Sequence, residues 1–350
     1  MMLCSTLWIK GKRSWLYGFL ALVMLYVYFH PSQSEKIREF GLPSLQIYSE
    51  KPSGTIKPDL AQIIILKRVS ETLAIMKNDD KAIMFLGNAS YECKSHQLYF
   101  FSNIHTRFTE ISKTGNTNWK KALLIANKDI SISHDGILDI QGLASKHSFR
   151  KLKLQANSEA LKGAFRFTVM RNPWTRMVSG YNMFEEKNLN KPKNKKYFDP
   201  IGREIVREIR GITNTSELVD LKPTFEEFVK YLVKQDGLVD KHFTPQTRIM
   251  CLTEVTYDYI VPSEYADEYS KEIWEIIQAN TSLPKSYDGK DASTQSSTVD
   301  ARKWLSKLDS NLINKLYEIF KNDFLIMNYS NFTDKEFPYP MLQKIKRITD

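Results

Sequence analysis

Residues 165–184, FRFTVMRNPWTRMVSGYNMF, join a six-residue apolar run to an amphipathic segment through Arg171 and Pro173. FRFTVM reads as a short buried strand. Pro173 fits the first turn of a helix, where a missing N–H costs nothing. Trp174, Met177, Val178, Tyr181 and Phe184 then recur at helical spacing and form one apolar stripe. Ser179 falls off that stripe, so no core demands it. A strand that ends in an arginine and feeds a helix start offers a guanidinium and orphan backbone N–H groups to an anion. A salt-bridged or solvated surface uses the same residues. The segment therefore fixes a strand–helix junction and leaves the anion open.

A second stretch, RFTEISKTGNTNWKKALLIAN at 107–127, has the same form: an extended run, a loop carrying Lys113 and Gly115, then a helix. Thr117 or Asn118 is the expected cap, with Trp119, Leu123 and Leu124 on the buried face. Lysine and glycine before a helix start suit a phosphate. The loop is not a Walker A sequence, because G-x-x-x-x-G-K-[ST] is absent from it.

Taken together and in this order, the two stretches resemble a known pair. Residues 113–120, KTGNTNWK, resemble the 5′-phosphosulfate loop of the Golgi carbohydrate sulfotransferases, the group of the chondroitin and dermatan 4-O-sulfotransferases. Residues 167–179, FTVMRNPWTRMVS, resemble that family's 3′-phosphate motif. DKHFTP at 240–245, followed by Cys251 and YDYI at 257–260, and LYEIFKNDF at 316–324 match it more loosely. The resemblance runs from about residue 85 to residue 330. Three positions depart from the pattern: Ser112 stands for its proline, Asn116 for its loop cysteine and Asn172 for an acidic residue. The acceptor sugar and the hydroxyl modified are therefore not carried over.

The resemblance implies an α/β fold, a P-loop-like three-layer sandwich with a central parallel sheet. It implies 3′-phosphoadenosine 5′-phosphosulfate as the sulfuryl donor and a glycan hydroxyl as acceptor, on a chondroitin-type glycosaminoglycan of a proteoglycan. Lys113 would meet the bridging oxygen. Gly115, Asn116, Thr117, Asn118 and Trp119 would surround the 5′ end, with Lys120 nearby. Arg171 and Ser179 would hold the 3′-phosphate. No metal is required, since lysine and helix N-termini supply the positive field. The acceptor hydroxyl needs a general base. His147 and His105 rank first for that role, followed by His242 in the 240–245 segment and Glu110 beside the loop.

The rest of the chain is consistent with a lumenal enzyme. An uncharged apolar run at 15–29, WLYGFLALVMLYVYF, follows Lys10, Lys12 and Arg13. Its exit, YFHPSQS, offers large aromatics where a cleavage site wants small residues, so a signal anchor is expected over a cleaved signal peptide. The basic flank orients it as a type II Golgi membrane protein. The expected organisation is a cytosolic tail at 1–13, an anchor at 14–30, a stem at 31–80 and a catalytic domain at 81–350. Asn88, Asn214, Asn280, Asn328 and Asn331 begin N-x-[ST] sequons. Cys93 and Cys251 are open to pairing in an oxidising lumen.

Within the domain, KAIMFLG at 81–87, RFTEI and FRFTVM are the expected strands. Helices are expected at Leu60–Met76, after a capping box at Thr224 and Glu227, at Tyr269–Gln278 and at Val299–Phe320. The net charge of +10 concentrates at 187–210, where Lys187, Lys191, Lys193, Lys195, Lys196, Arg203, Arg207 and Arg210 fall. Such a cluster suits a solvated face or a polyanionic glycan. Topology and the scarcity of interleaved aromatics argue against nucleic acid. Two alternatives stay open. A nucleotide-dependent kinase would need a Walker lysine and a magnesium carboxylate, neither of which stands at the loop. A non-catalytic lumenal glycan-binding protein could retain the fold.

Overall fold

FRFTVM forms a strand, and it becomes the third of four. In the computed structural model residues 60–78, 97–131, 139–154, 158–219, 221–252, 255–283 and 301–329 are described. The strands are β1 (Leu98–Phe101), β2 (Thr106–Thr109), β3 (Phe165–Met170) and β4 (Tyr259–Pro262), in the spatial order β1-β2-β3-β4. β2 with β3 and β3 with β4 are parallel, whereas β1 lies antiparallel against β2. The expected central parallel sheet stands in β2, β3 and β4, and β1 adds an antiparallel edge strand. The reason is the connection: only the short turn Ser102–Ile104 and His105 separate β1 from β2. That is too short for the crossover a parallel pair needs. The expected strand at 81–87 lies outside the described residues.

The helices are α1 (Leu60–Asn78), α2 (Asn116–Ala126), α3 (Pro173–Tyr181), α4 (Pro192–Arg210), α5 (Phe225–Lys234), α6 (Ala266–Ile276) and α7 (Ser310–Met327). Alternation along the strands divides them between two cores. Phe108, Phe167, Val169, Tyr259 and Val261 meet Trp119 and Leu123 of α2 and Ile273 and Trp274 of α6. Met170 and Ile260 join the opposite core with Ile65 of α1, Trp174 and Met177 of α3, Phe228 of α5, and Leu316 and Phe320 of α7. Helices therefore cover both faces, and the expected three layers stand.

Local signals explain the helix ends. Asn172 caps α3 through the N–H groups of Trp174 and Thr175, with Pro173 at its first turn. The Thr224–Glu227 capping box is present at the start of α5. The single helix expected over Val299–Phe320 is divided: residues 301–305 are helical, and Asp309 then caps a new helix, α7. The helix expected from Tyr269 begins earlier, at Ala266.

Whether the Leu60–Met76 helix projects or packs is open in the sequence, and the structure decides it. Gln62 donates from Nε2 to the Ile260 carbonyl (3.0 Å) and accepts from the Ile260 N–H at 3.1 Å. A side-chain amide so occupies backbone groups on β4 that would otherwise stand unpaired. This part of the expected stem packs with the catalytic domain.

The expected anchor at 14–30 lies outside the described residues, and among those described no helix is long and apolar enough to cross a membrane. Cys251 is disulfide-bonded, while Cys93 lies outside the described residues. Of the sequon asparagines, Asn214 and Asn280 are exposed and Asn328 is half-buried; Asn88 and Asn331 lie outside the described residues.

Candidate functional site

Lys113 follows the C-terminal end of β2 and Arg171 follows that of the parallel strand β3. The two residues that the sequence singles out thus meet at one edge of the sheet, where α/β folds bind their ligands. Lys113 and Gly115 have left-handed backbones, with φ of 72° and 81°. A lysine held there is strained, a condition that clusters at functional sites. Gly115, not Thr117 or Asn118, is the N-cap of α2, and no side chain caps the helix. The expected cap is corrected accordingly. The positive φ at Gly115 starts the helix before either side chain is in a capping position. Among the described residues no side chain accepts from the N-terminal N–H groups of α2, as an anion site requires.

The loop residues then separate into two sets. Thr117 is exposed, and Asn116 and Asn118 are half-buried. Trp119 is core: only 1% exposed, it packs on Phe167 and Trp274. Its expected place around the donor is corrected, because the helical stripe turns the indole toward the sheet. Lys120 is buried in an ion pair with Glu110 at 3.0 Å. Glu110 also accepts from the Tyr99 hydroxyl at 2.6 Å and from Asn116 Nδ2. Burial alone would raise its pKa, but the Lys120 ammonium and the Tyr99 hydroxyl hold it below the usual carboxylate range. Glu110 is a committed acceptor, poorly suited to take up a proton.

Three cations gather at this edge. Arg171 donates from Nη1 to the Lys113 carbonyl (2.9 Å) and from Nε to Thr175 Oγ1 (3.1 Å). Its backbone is gripped by Gln246, which accepts from its N–H and donates to its carbonyl. The N–H groups of Gln246 and Thr247 in turn donate to buried Asp323 of α7. Arg176, 1% exposed, donates to three carbonyls: Ser112 at 2.9 Å, Thr244 at 2.8 Å and Lys241 at 3.0 Å. It ties the Lys113 loop to the 241–244 segment. Among the described residues none of Lys113, Arg171 and Arg176 is in an ion pair. Burial, together with Arg171 and Arg176, pushes Lys113 down to about 8. Burial likewise brings Arg176 to about 10. Glu264 acts on Arg171, and Asp323 and Asp240 on Arg176, without closing an ion pair; buried positive charge held this way favours an anion that completes the site.

Arg176 also brings in a histidine. His242 lies with its Nδ1 2.5 Å from Asp240 Oδ1, and its backbone N–H donates to the same oxygen at 3.0 Å. Tyr197 of α4 donates its hydroxyl to Asp240 Oδ2 at 2.6 Å. The imidazole stands edge-on to Phe198, centroids 5.0 Å apart, and Lys113 Nζ lies 6.0 Å from the same ring. Lys113 and His242 therefore flank one phenylalanine. Gly180 of α3 permits this approach. A Cβ there would stand 2.6 Å from the Phe243 ring and 3.3 Å from the His242 carbonyl. Ser179, next to it, is half-buried and makes no hydrogen bond to Arg171.

The two leading histidines lie elsewhere. His105 precedes β2, at the opposite end of that strand from Lys113, and its Nε2 lies 2.9 Å from the Lys162 carbonyl. His147 stacks on Phe101 of β1 at 4.8 Å and pairs with Asp129 at 2.8 Å. Phe101 is opposite Thr106 in the ladder, so His147 too belongs to the far edge. Their ranking is corrected on geometry: nearness in sequence to the loop placed them, whereas the strand between carries them away. Arg176, Asp240 and Tyr197 are not distinguished by the sequence reading. The one available signal was Arg176, a charged residue inside a segment otherwise apolar on that side.

Residues 98–330 match the model described as the sulfotransferase family. The chain is 23% identical over 320 residues to carbohydrate sulfotransferase 10 of Xenopus laevis, covering 86% of each chain. It is 25% identical over 308 residues to the human protein of that name, covering 80% of each. Against human carbohydrate sulfotransferase 9 it is 23% identical over 261 residues, 68% of this chain and 55% of the relative. No solved structure matches. The family match spans all four strands and both cationic loops, and by it the chain belongs to the sulfotransferase family.

Proposed function

We propose that this sulfotransferase moves a sulfuryl group from 3′-phosphoadenosine 5′-phosphosulfate to a hydroxyl of an anionic glycan of chondroitin type, in the Golgi lumen. The observation that carries the reading is the cluster of Lys113, Arg171 and Arg176, none of them in a close ion pair among the described residues, beside the start of α2 that no side chain caps. A nucleotide with separate 5′ and 3′ anionic groups fits that chemistry. The donor supplies an activated sulfuryl group on a phosphate leaving group. In this reading Lys113 and the N–H groups of Gly115, Asn116 and Thr117 bind the 5′ end. Arg171, with Ser179, takes the 3′-phosphate, where a planar guanidinium binds in bidentate fashion. As the leaving oxygen gains charge, the Lys113 ammonium stabilises it.

The printed names of the relatives support a carbohydrate acceptor. The chain's own charge supports an anionic one. Lys193 of α4 and Lys241 both act on Lys120, which places basic side chains around the Glu110 end of the site. Lys195 and Lys196 lie on the same helix, whereas its Arg203 and Arg207 pair with Asp199 and Glu204. Such a field attracts a polyanion by steering and direct pairing. The apolar run at 15–29 with its basic flank supports the membrane anchor and the lumenal side.

The test is incorporation of labelled sulfate into a panel of desulfated chondroitin, desulfated dermatan and neutral oligosaccharides. Retention on immobilised adenosine 3′,5′-bisphosphate, uncompeted by ATP, is measured alongside. Transfer to the uronate-containing polymers over the neutral sugars is the expected outcome. Donor-product retention with no transfer to any acceptor would replace the reading by that of a glycan-binding protein.

A further inference from the structure

The geometry points to His242, held by Asp240 and Tyr197, as the general base that removes the acceptor hydroxyl proton, an assignment that rests on the sulfuryl-transfer reading above. Three observations carry it. First, His242 is the described histidine at the Lys113 edge of the sheet: both side chains lie against Phe198. A group that takes the acceptor's proton must sit near the group that meets the leaving oxygen, since sulfur passes in line between the two.

Second, the ring has a fixed orientation. Asp240 accepts from Nδ1 and from the His242 backbone N–H through one oxygen, and from the Tyr197 hydroxyl through the other. Burial would raise the Asp240 pKa, but hydrogen bonds from His242 and Tyr197 hold it at about 2, so it stays an acceptor. With Nδ1–H committed to Asp240, the tautomer leaves the lone pair on Nε2, which has no hydrogen-bond partner among the described residues. This is the arrangement of a base oriented by a carboxylate. The side chain is 18% exposed, enough for Nε2 to meet a bound hydroxyl.

Third, the surroundings keep the base neutral. Burial lowers its pKa below the ordinary histidine value, Asp240 opposes this, and Lys113 and Lys241 lower it further. Tyr197, Phe198 and Phe243 are the aromatic rings against it. At neutral pH the imidazole is therefore free to accept a proton. The other candidates fail on position or commitment: His105 and His147 lie at the far edge, and the Glu110 oxygens are occupied by Lys120, Tyr99 and Asn116.

The step balances. The acceptor O–H bond breaks and its proton passes to Nε2 while the acceptor oxygen forms a bond to sulfur. The bond between sulfur and the phosphate's bridging oxygen breaks, and that electron pair remains on the phosphate beside Lys113. The products are a sulfate ester and adenosine 3′,5′-bisphosphate, and the proton on His242 is lost to solvent.

The experiment compares the parental chain with His242→Gln and Asp240→Asn, each first checked for retention on immobilised adenosine 3′,5′-bisphosphate and for an intact thermal transition. His242→Gln is expected to keep retention while turnover falls roughly 10²- to 10⁴-fold. The parental turnover falls at acid pH as His242 gains its proton, and the glutamine variant loses that limb. Asp240→Asn removes the group that raises the histidine pKa, so its limb moves to lower pH and its plateau falls. An NMR titration of the His242 ring reads the same shift without turnover. A glutamine variant within about twofold of parental turnover, or one that keeps the acid limb, overturns the assignment while sulfuryl transfer stands. If the parental chain transfers to no acceptor, the transfer reading fails and the base with it.

Discussion

Lys113 allows a quantitative test of the donor site. Its ammonium lies beside Arg171 and Arg176, and burial with these neighbours brings its pKa from 10.5 to about 8. An anion bound against it reverses the sign of that environment and restores the ordinary value. At pH 8.5 the free protein then holds about a quarter of a proton on Lys113 and the complex nearly a whole one, an uptake of about 0.75 proton per ligand. At pH 7 the same reasoning gives about 0.1. Titration calorimetry with adenosine 3′,5′-bisphosphate in two buffers of different ionisation enthalpy measures the number directly. Lys113→Met abolishes the pH-dependent part and weakens binding about ten- to a hundredfold, the worth of one charge-assisted hydrogen bond. The same shift predicts a stability trend. A lysine whose folded pKa lies below its unfolded one is bound more tightly to its proton in the unfolded chain between pH 8 and 10.5. Stability therefore rises with pH across that window, by at most about 3 kcal/mol. An uptake below about 0.2 at pH 8.5, or an equal uptake by Lys113→Met, would refute the placement of Lys113 against the donor anion.

Arg176→Met leaves the buried carbonyls of Ser112 and Thr244 and the half-buried one of Lys241 without their donor, and a loss of about 3 kcal/mol or more is expected. A denaturant midpoint within experimental error of the parental chain would show that water replaces the clamp. Gly180→Ala forces a Cβ to 2.6 Å from the wholly buried Phe243 ring. The strain of overpacking predicts a loss of about 1–3 kcal/mol, read by thermal melting. Turnover should fall with it while bisphosphate retention holds, because the displaced segment carries His242; unchanged melting and turnover would count against the close approach.

Much of the architecture was readable because local and global signals agree. FRFTVM is a strand with the expected bounds, and α3 buries Trp174, Met177, Val178 and Tyr181 as its periodicity requires. The capping box at Thr224 and Glu227 is a local hydrogen-bond exchange, so local sequence reveals it. Where the reading failed, a nonlocal or backbone effect prevailed. A positive φ at Gly115 displaced the expected cap. Asp309 divided the final helix. Trp119 was legible as a stripe residue and as a motif residue, and burial selected the former.

The candidate site divides in the same way. Lys113 and Arg171 are each encoded within a strand–loop–helix unit, so the sequence alone could identify them as anion ligands. Parallel pairing of β2 with β3 is what brings them to one edge. The proton acceptor was not legible, because its selection depends on which end of a strand each histidine occupies. His105 is eight residues from Lys113 and at the wrong end of β2, whereas His242 is 129 residues away and shares Phe198 with it. The sequence determined which residues can bind an anion, since charge, glycine and helix start lie next to one another along the chain. Only the tertiary structure decided which base faces them, since that contact is made by Arg176 and Gly180 across segments far apart in sequence.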